Sequence, residues 1–372
     1  MHFSKALRNL SNAANANKPI IRKGVHPKFA HLAENAKTIK RLRTEDFTID
    51  CTRYQKTLDQ NSELKERVSD VFKRIGLVVL DNTGTRDPKL LKAPFKHILK
   101  SRANYEGGSN YRRPIGVEDV YDTGVTNEQT IHYHHEMGYS NRPPLSICFM
   151  CLQLTPGVDG FTYFCDNTAF TRDIEASDIG QKLIHKGTVI IRRWADEKYV
   201  KKHGVTNYLT TWQLSFMTDD PKVAEERARE QSQQDIEWCE ETGTLSGRVY
   251  PDIYEYCPHS DRNLFWFSMA DHAIWFDTHP QVNTTPDNER PHILKFGDGS
   301  DLSNEEVSQI LDISANQGFK HSWKPGQSVL SCNYRFMHGR PGMSLNPGEV
   351  RQLGVVLGER FERVGPVPGK YF

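Results

Sequence analysis

From residue 130 onward the chain is a succession of short segments rich in β-branched and aromatic residues: TIHYHHEM, LSICFMCLQL, GFTYFC, GTVIIRRW, NYLTTWQLSF and LFWFSM. Clusters of Pro, Gly, Asn and Asp separate them. Runs of this length between turn formers read as strands. A series of such strands can bury its apolar faces only by stacking sheet on sheet or by curling into a barrel. Helical texture is confined to a few places. SELKERVSDVFKRI has the apolar period of an amphipathic helix and leads into a short buried strand, GLVVLD. DPKLLKAPFKHILKSR reads as a second helix with Asp87 as its N-cap. DPKVAEERAREQSQQDIEWCEETG reads as a third helix with a solvated, charged face, and SNEEVSQILDISANQ as a fourth. Two final strands, QSVLSCNYRFMHGR and VRQLGVVLGERF, follow. The expected fold class is mainly β with peripheral helices, a sandwich or jelly roll carrying its helices outside.

The 372 residues suffice for one large domain or two ordinary ones. No repeat or flexible linker divides them. The expected layout is a basic N-terminal arm over residues 1–45, then a single domain over 46–372 with a helical insertion near 220–245. The first 33 residues carry Lys5, Arg8, Lys18, Arg22, Lys23 and Lys28 and no acidic residue. That composition suits an organelle transit peptide as well as an arm packed on the domain, and the arm is preferred. A net charge of +1 creates no field to attract nucleic acid or an acidic membrane surface. No apolar run is long enough to span a bilayer. The seven scattered cysteines suit a reducing, intracellular and most simply cytoplasmic setting. Cys148 and Cys151 form a lone CxxC inside an apolar run and read as core residues. Nothing in the sequence sets an oligomeric state.

IHYHHEMGYS places three histidines and a glutamate in five consecutive positions. In an extended strand alternate side chains share a face, so His132, His134 and Glu136 are expected to point together, with His135 opposite. Two ligands separated by one residue can bind the same ion, and the third must come from elsewhere. Fe(II) with open coordination positions takes two histidines and one carboxylate. His134 and Glu136 supply one of each, and His338 in CNYRFMHGRPGM offers the second histidine. A pair of His132 and His134 with Glu136 behind them is the rival set. Arg351 opens the next strand, and a buried arginine facing an open metal site is suited to gripping a small dicarboxylate through paired hydrogen bonds. Thr162 in DGFTYF offers a hydroxyl to the same carboxylate. Asn333, Arg335 and Arg340 flank His338 and are open to contact with an acidic substrate or to structural pairing. His272 and His279 read as packing or surface residues.

These segments resemble the TauD/TfdA superfamily of Fe(II)/2-oxoglutarate oxygenases, and within it the clavaminate synthase-like branch. HHEMGYSNRPPLSICFMC is similar to the family's stretch around its first histidine and carboxylate, GFTYF to its Gly-x-Thr segment, and KPGQSVLSCNYRFMHGR to the stretch leading to its distal histidine. TTWQLSF, EWCEETGTL and LFWFSM resemble middle blocks of the family in the same order. The resemblance runs from about Gly76 to Arg360. Gln327 and Cys332 stand where the family usually has Asp, at positions that shape a turn and a strand. Val355 stands where taurine-type enzymes have a second arginine for the substrate sulfonate, which disfavours taurine-like substrates.

The resemblance implies a double-stranded β-helix, a jelly roll of the cupin-like kind. It implies Fe(II) held by His134, Glu136 and His338, and 2-oxoglutarate as co-substrate on Arg351 and Thr162. Molecular oxygen would oxidise an unactivated C–H bond of a small amino-acid-derived or natural-product molecule, as in secondary metabolism. Hydroxylation, desaturation and oxidative cyclisation all belong to this chemistry. Because Glu136 is retained, halogenation is not expected. The expected partner is a small-molecule substrate, with no nucleic acid and no membrane. The alternative is a non-catalytic metal-binding β-sandwich with a sensing or scaffolding role.

Overall fold

The computed structural model describes residues 42–371, apart from 101–111, 118, 125–126, 129, 204–209, 232, 267, 270–271 and 273–289. All but the last four residues of the expected basic arm, and His279, lie outside the described residues.

LSICFMCLQL is apolar at nearly every position because both its faces are covered. It forms β4 (Ser146–Leu154), the longest of fifteen strands among the described residues. The first sheet runs β1 (Thr48–Asp50), β2 (Leu77–Asp81), β13 (Ser328–Cys332), β4, β15 (Arg351–Leu357). The second runs β12 (Gly318–His321), β5 (Thr162–Asp166), β14 (Phe336–Arg340), β3 (Ile131–His134). Consecutive strands alternate between the two: β3 to β5 pass from second to first to second, and β12 to β15 repeat the alternation. That winding is the double-stranded β-helix, the jelly roll expected from sequence.

The two sheets share a core in which Ile147, Phe149 and Cys151 of β4 meet Phe164 of β5 and Phe336 of β14. On the other face of the first sheet, Cys148, Met150 and Leu152 pack with Leu64, Val68 and Phe72 of helix α1 (Ser62–Ile75). The period of two thus sends Cys148 and Cys151 to opposite faces, so the CxxC cannot grip one ion. Burial pushes both thiols up, Cys151 to about 11. A third, antiparallel sheet orders β11 (His292–Phe296), β6 (Thr188–Trp194), β8 (Leu245–Val249), β7 (Gln234–Trp238). β9 (Tyr254–Cys257) and β10 (Arg262–Phe265) form a hairpin. No helix among the described residues is long and apolar enough to cross a membrane.

Several elements depart from the sequence reading. DPKLLKAPFKHILKSR is not one helix: α-turns at Pro88–Lys92 and Lys96–Leu99 flank a 3-10 turn at Ala93–Phe95. Pro94 has no N–H to continue the ladder. Asp87 does cap the first turn, accepting from the Lys89 N–H. TTWQLSF was expected as strand, yet Trp212–Phe216 is helical, with the Thr211 hydroxyl accepting from the Leu214 N–H. Its Trp212 and Phe216 sit four apart and bury against Trp194. The charged segment from Asp220 is helix only over Pro221–Glu230, and QDIEW that follows is β7. QSVLSCNYRFMHGR is two strands in different sheets, broken at Asn333–Arg335. That break builds the site.

Gly76 ends α1 in the left-handed region (φ 84°), and a Cβ there would lie 3.2 Å from Cys332 Cβ. Gly76→Ala is expected to cost about 1–2 kcal/mol from backbone strain alone. Urea unfolding of the full chain reads this, and an unchanged midpoint would contradict it.

Candidate active site

β14 lies between β5 and β3, and His338 stands directly opposite His134 in register. Residues facing each other across an antiparallel pair bring their side chains within reach, and the two imidazole centroids are 4.3 Å apart. Glu136 arrives by another route than the alternation predicted. β3 stops at His134, and residues 136–139 form a turn with Met137 left-handed at φ 53°. The turn is pinned by Asn333, in the break between β13 and β14. Its amide oxygen accepts from the Glu136 N–H at 2.8 Å, and its NH2 donates to the Glu136 carbonyl at 2.9 Å and to the Pro144 carbonyl at 3.0 Å. The Asn333 carbonyl in turn accepts from His135 Nδ1 at 2.6 Å. The His135 ring stacks on Trp266 at 4.2 Å, and burial depresses its pKa to about 3, so it stays neutral.

His134, Glu136 and His338 each present a ligand atom, all within 4.8 Å of one another, the one such group of three among the described residues. Two nitrogens and a carboxylate oxygen on one side of a pocket fit Fe(II). His134 Nδ1 donates to the His132 carbonyl at 2.9 Å, which fixes the tautomer and leaves Nε2 for a metal. His132 thus contributes its carbonyl, and its ring is not in the group. Burial, then the neighbouring His134, lowers the His338 pKa to about 4, so its ring nitrogen is available near neutral pH. Burial works against a charged Glu136, but Arg112 and the two histidines outweigh it and hold its carboxyl well below the usual range. Arg112 Nη2 lies 2.8 and 3.1 Å from the two Glu136 oxygens.

Arg351 opens β15 and lines the same pocket, as do Thr162 and Arg340. Its Nε donates to the Gly160 carbonyl at 2.9 Å, while its Nη2 is buried without a hydrogen-bond partner among the described residues. A Cβ on Gly160 would lie 2.7 Å from Arg351 Cδ, so only glycine leaves room for this approach. Burial, then Arg340, lowers the Arg351 pKa to about 10, leaving it cationic. A buried guanidinium with an unused donor calls for an anion. Arg340 donates to the Asn127 carbonyl at 3.0 Å. Arg335 is turned away from the pocket, in an ion pair with Asp166. Asn333 spends its amide on backbone. His272 is buried, its Nδ1 accepting from the Leu294 N–H.

The family model for the taurine catabolism dioxygenase TauD, TfdA family matches residues 43–356. The chain belongs to the TauD/TfdA family. It is accordingly a 2-oxoglutarate-dependent dioxygenase, with Fe(II) as its metal and 2-oxoglutarate as co-substrate. A clavaminate synthase-like protein of Arabidopsis thaliana is 25% identical over 243 residues, covering 63% of this chain and 68% of that one. Two solved structures are similar. AAD-2 in complex with Mn(II) and N-oxalylglycine has a TM-score of 0.48 at 13% identity, over 88% of this chain and 98% of that one. A taurine dioxygenase from Burkholderia xenovorans has a TM-score of 0.46 at 11% identity, over 86% and 88%. The departures from the TauD/TfdA pattern are accommodated away from the ligand group. Gln327 holds the turn before β13, accepting from the Lys324 N–H and donating to Asp81, and Cys332 is buried on the α1 side of the first sheet.

The sequence reading missed Arg112, which lies in YRRPIG with no local motif to mark it, and missed the hub role of Asn333. Asn333→Ala would leave three buried backbone groups without partners, at roughly 3 kcal/mol or more in total. Loosening a ligand's support typically costs 10- to 100-fold in metal affinity. The expected outcome is a clear drop in melting temperature together with at least about tenfold weaker Mn(II) binding. Retention of both would remove Asn333 from the site's framework.

Proposed function

We propose that His134, Glu136 and His338 are the iron ligands, and that Arg351 and Thr162 receive the far carboxylate of 2-oxoglutarate. The substrate would be a small amino-acid-derived or natural-product molecule, oxidised at an unactivated C–H bond by hydroxylation, desaturation or ring closure. The reading rests on one observation above all: a metal-competent group of three and a buried guanidinium whose Nη2 has no partner among the described residues line one pocket. A scaffold would need the first and not the second. Residues from 46 onward would act as one oxygenase domain. An intracellular location is inferred from seven unpaired cysteines, six of them buried.

In this reading bound Fe(II) supplies the redox step that couples decarboxylation of 2-oxoglutarate to substrate oxidation. The protein's part is positional. His134 and His338 present ring nitrogens, Glu136 is kept ionised, and Arg351 orients the co-substrate from the far end. Ile131, Tyr139, Phe149, Leu353 and Val355 give the pocket apolar walls. Val355 and Leu353 favour an apolar portion of substrate where a sulfonate would need a cation. Arg340 is the flanking arginine that reaches the pocket, and it is the candidate for a polar group of the substrate. Asn333 and Arg335 are engaged elsewhere and carry no substrate role here.

A guanidinium grips a carboxylate through two charge-assisted hydrogen bonds that glutamine cannot reproduce. Truncating one partner of such a buried pair costs about 2–5 kcal/mol. Arg351→Gln is expected to raise the 2-oxoglutarate requirement at least about tenfold with little change in iron content. Unchanged 2-oxoglutarate dependence in the folded, iron-loaded variant would move the clamp elsewhere.

His134→Ala and His338→Ala are expected to abolish iron-dependent turnover and the visible band formed by Fe(II) and 2-oxoglutarate without oxygen. His135→Ala is expected to lower stability while leaving the iron stoichiometry of the folded fraction intact. Iron lost from the His135 variant but kept by the His134 variant would overturn the assignment.

A further inference from the structure

β12 pairs with β5 so that His321 faces Thr162. The chain leaves β12 there, and two residues later Trp323 folds back against the same position. Its indole Nε1 lies 2.9 Å from Thr162 Oγ1, and both residues are buried. The edge of His321 meets the Trp323 ring at 4.5 Å and 88°, holding the indole in its plane.

This contact has one possible sense. An indole N–H can only donate, so Thr162 Oγ1 must accept. The threonine hydroxyl has a single proton, which cannot then point toward Trp323. Among the described residues no acceptor takes that proton. Thr162 and Arg351 line the same pocket, and Arg351 Nη2 is likewise a buried donor without a partner. Two unspent donors facing one space accept a carboxylate and reject a donor group.

We propose that Trp323 is a positioning residue that sets the Thr162 hydroxyl as a hydrogen-bond donor toward the far carboxylate of 2-oxoglutarate. Without the indole N–H, the hydroxyl proton would be free to rotate away from the pocket, and the carboxylate would lose an oriented partner. Trp323 itself does not touch the co-substrate; it acts through Thr162. The inference rests on the placement of 2-oxoglutarate argued above.

The test is calorimetric binding of 2-oxoglutarate to the full-length, Mn(II)-loaded protein, with 2-oxobutanoate as a second probe that lacks the far carboxylate. Trp323→Phe keeps the packing and removes the donor. It is expected to weaken 2-oxoglutarate at least about tenfold, the lower end of what one oriented hydrogen bond to a charged group contributes. Binding of 2-oxobutanoate and of Mn(II) is expected to stay within about twofold, since neither uses the hydroxyl. Thr162→Val is expected to lose the same factor, and adding Trp323→Phe to it should cost nothing more, because the two act as one unit.

Equal losses from Trp323→Phe with and without the Thr162 hydroxyl, or a parallel loss for 2-oxobutanoate, would mean that the indole acts by packing alone and would overturn the proposal. Should Trp323→Phe not fold, Thr162→Val decides: wild-type 2-oxoglutarate affinity in that variant overturns it. Failure of the wild-type protein to bind 2-oxoglutarate at all would instead sink the placement of the co-substrate. Binding by the wild type with no loss in Trp323→Phe sinks only the role of Trp323.

Discussion

The amide of Asn333 is the contact on which the centre depends. The carboxylate of the group of three, Glu136, sits in a turn, and a turn has no ladder to fix it. Asn333 supplies the missing ladder by bonding both backbone groups of Glu136, and its own carbonyl anchors His135. The same residue marks the break where the chain leaves the first sheet at Cys332 and enters the second at Phe336. One side chain therefore couples the crossing between sheets to the direction of the carboxylate. Burial makes that coupling stiff, because each group it satisfies would otherwise be stranded away from water.

Around this framework the charges are arranged by position along the pocket. Glu136 is surrounded by the guanidinium of Arg112 and by His134 and His338, so its negative charge is retained despite burial. At the head of β15, Arg351 retains its charge under the opposite circumstances, among few acceptors and beside Arg340. Gly160 permits this by leaving out a side chain where the guanidinium stem passes. An ionised carboxylate and a cationic guanidinium in one pocket set two opposite charges before anything that binds there.

Much of this was legible from residue types and their spacing. His134, Glu136, His338, Arg351 and Thr162 line one pocket, and the strands of the jelly roll fall where the apolar runs placed them. The path to Glu136 was not legible. A period of two put it on the face of His134, while the chain does so by ending the strand and turning through a left-handed Met137. TTWQLSF was misread because aromatic and β-branched residues favour strands locally, whereas the Thr211 cap and the burial of Trp212 and Phe216 decide in favour of a helix. QDIEW was hidden inside a charged run whose residues suit a helix and an exposed edge strand equally well. Arg112 and the inward turn of Asn333 depend on tertiary placement, and no local pattern announces them.

The in-register pairing of His134 with His338 has a consequence for biosynthesis. The two strands it joins lie far apart in the chain, and β15, which carries Arg351, is the last strand among the described residues. Contacts of such long range form late, since loop-closure entropy must be spent before they can contribute. A nascent chain lacking β13 to β15 holds only one histidine and an unsupported glutamate of the group. The group of three is thereby complete only after β14 has been made, and a shorter chain offers an ion two of its members.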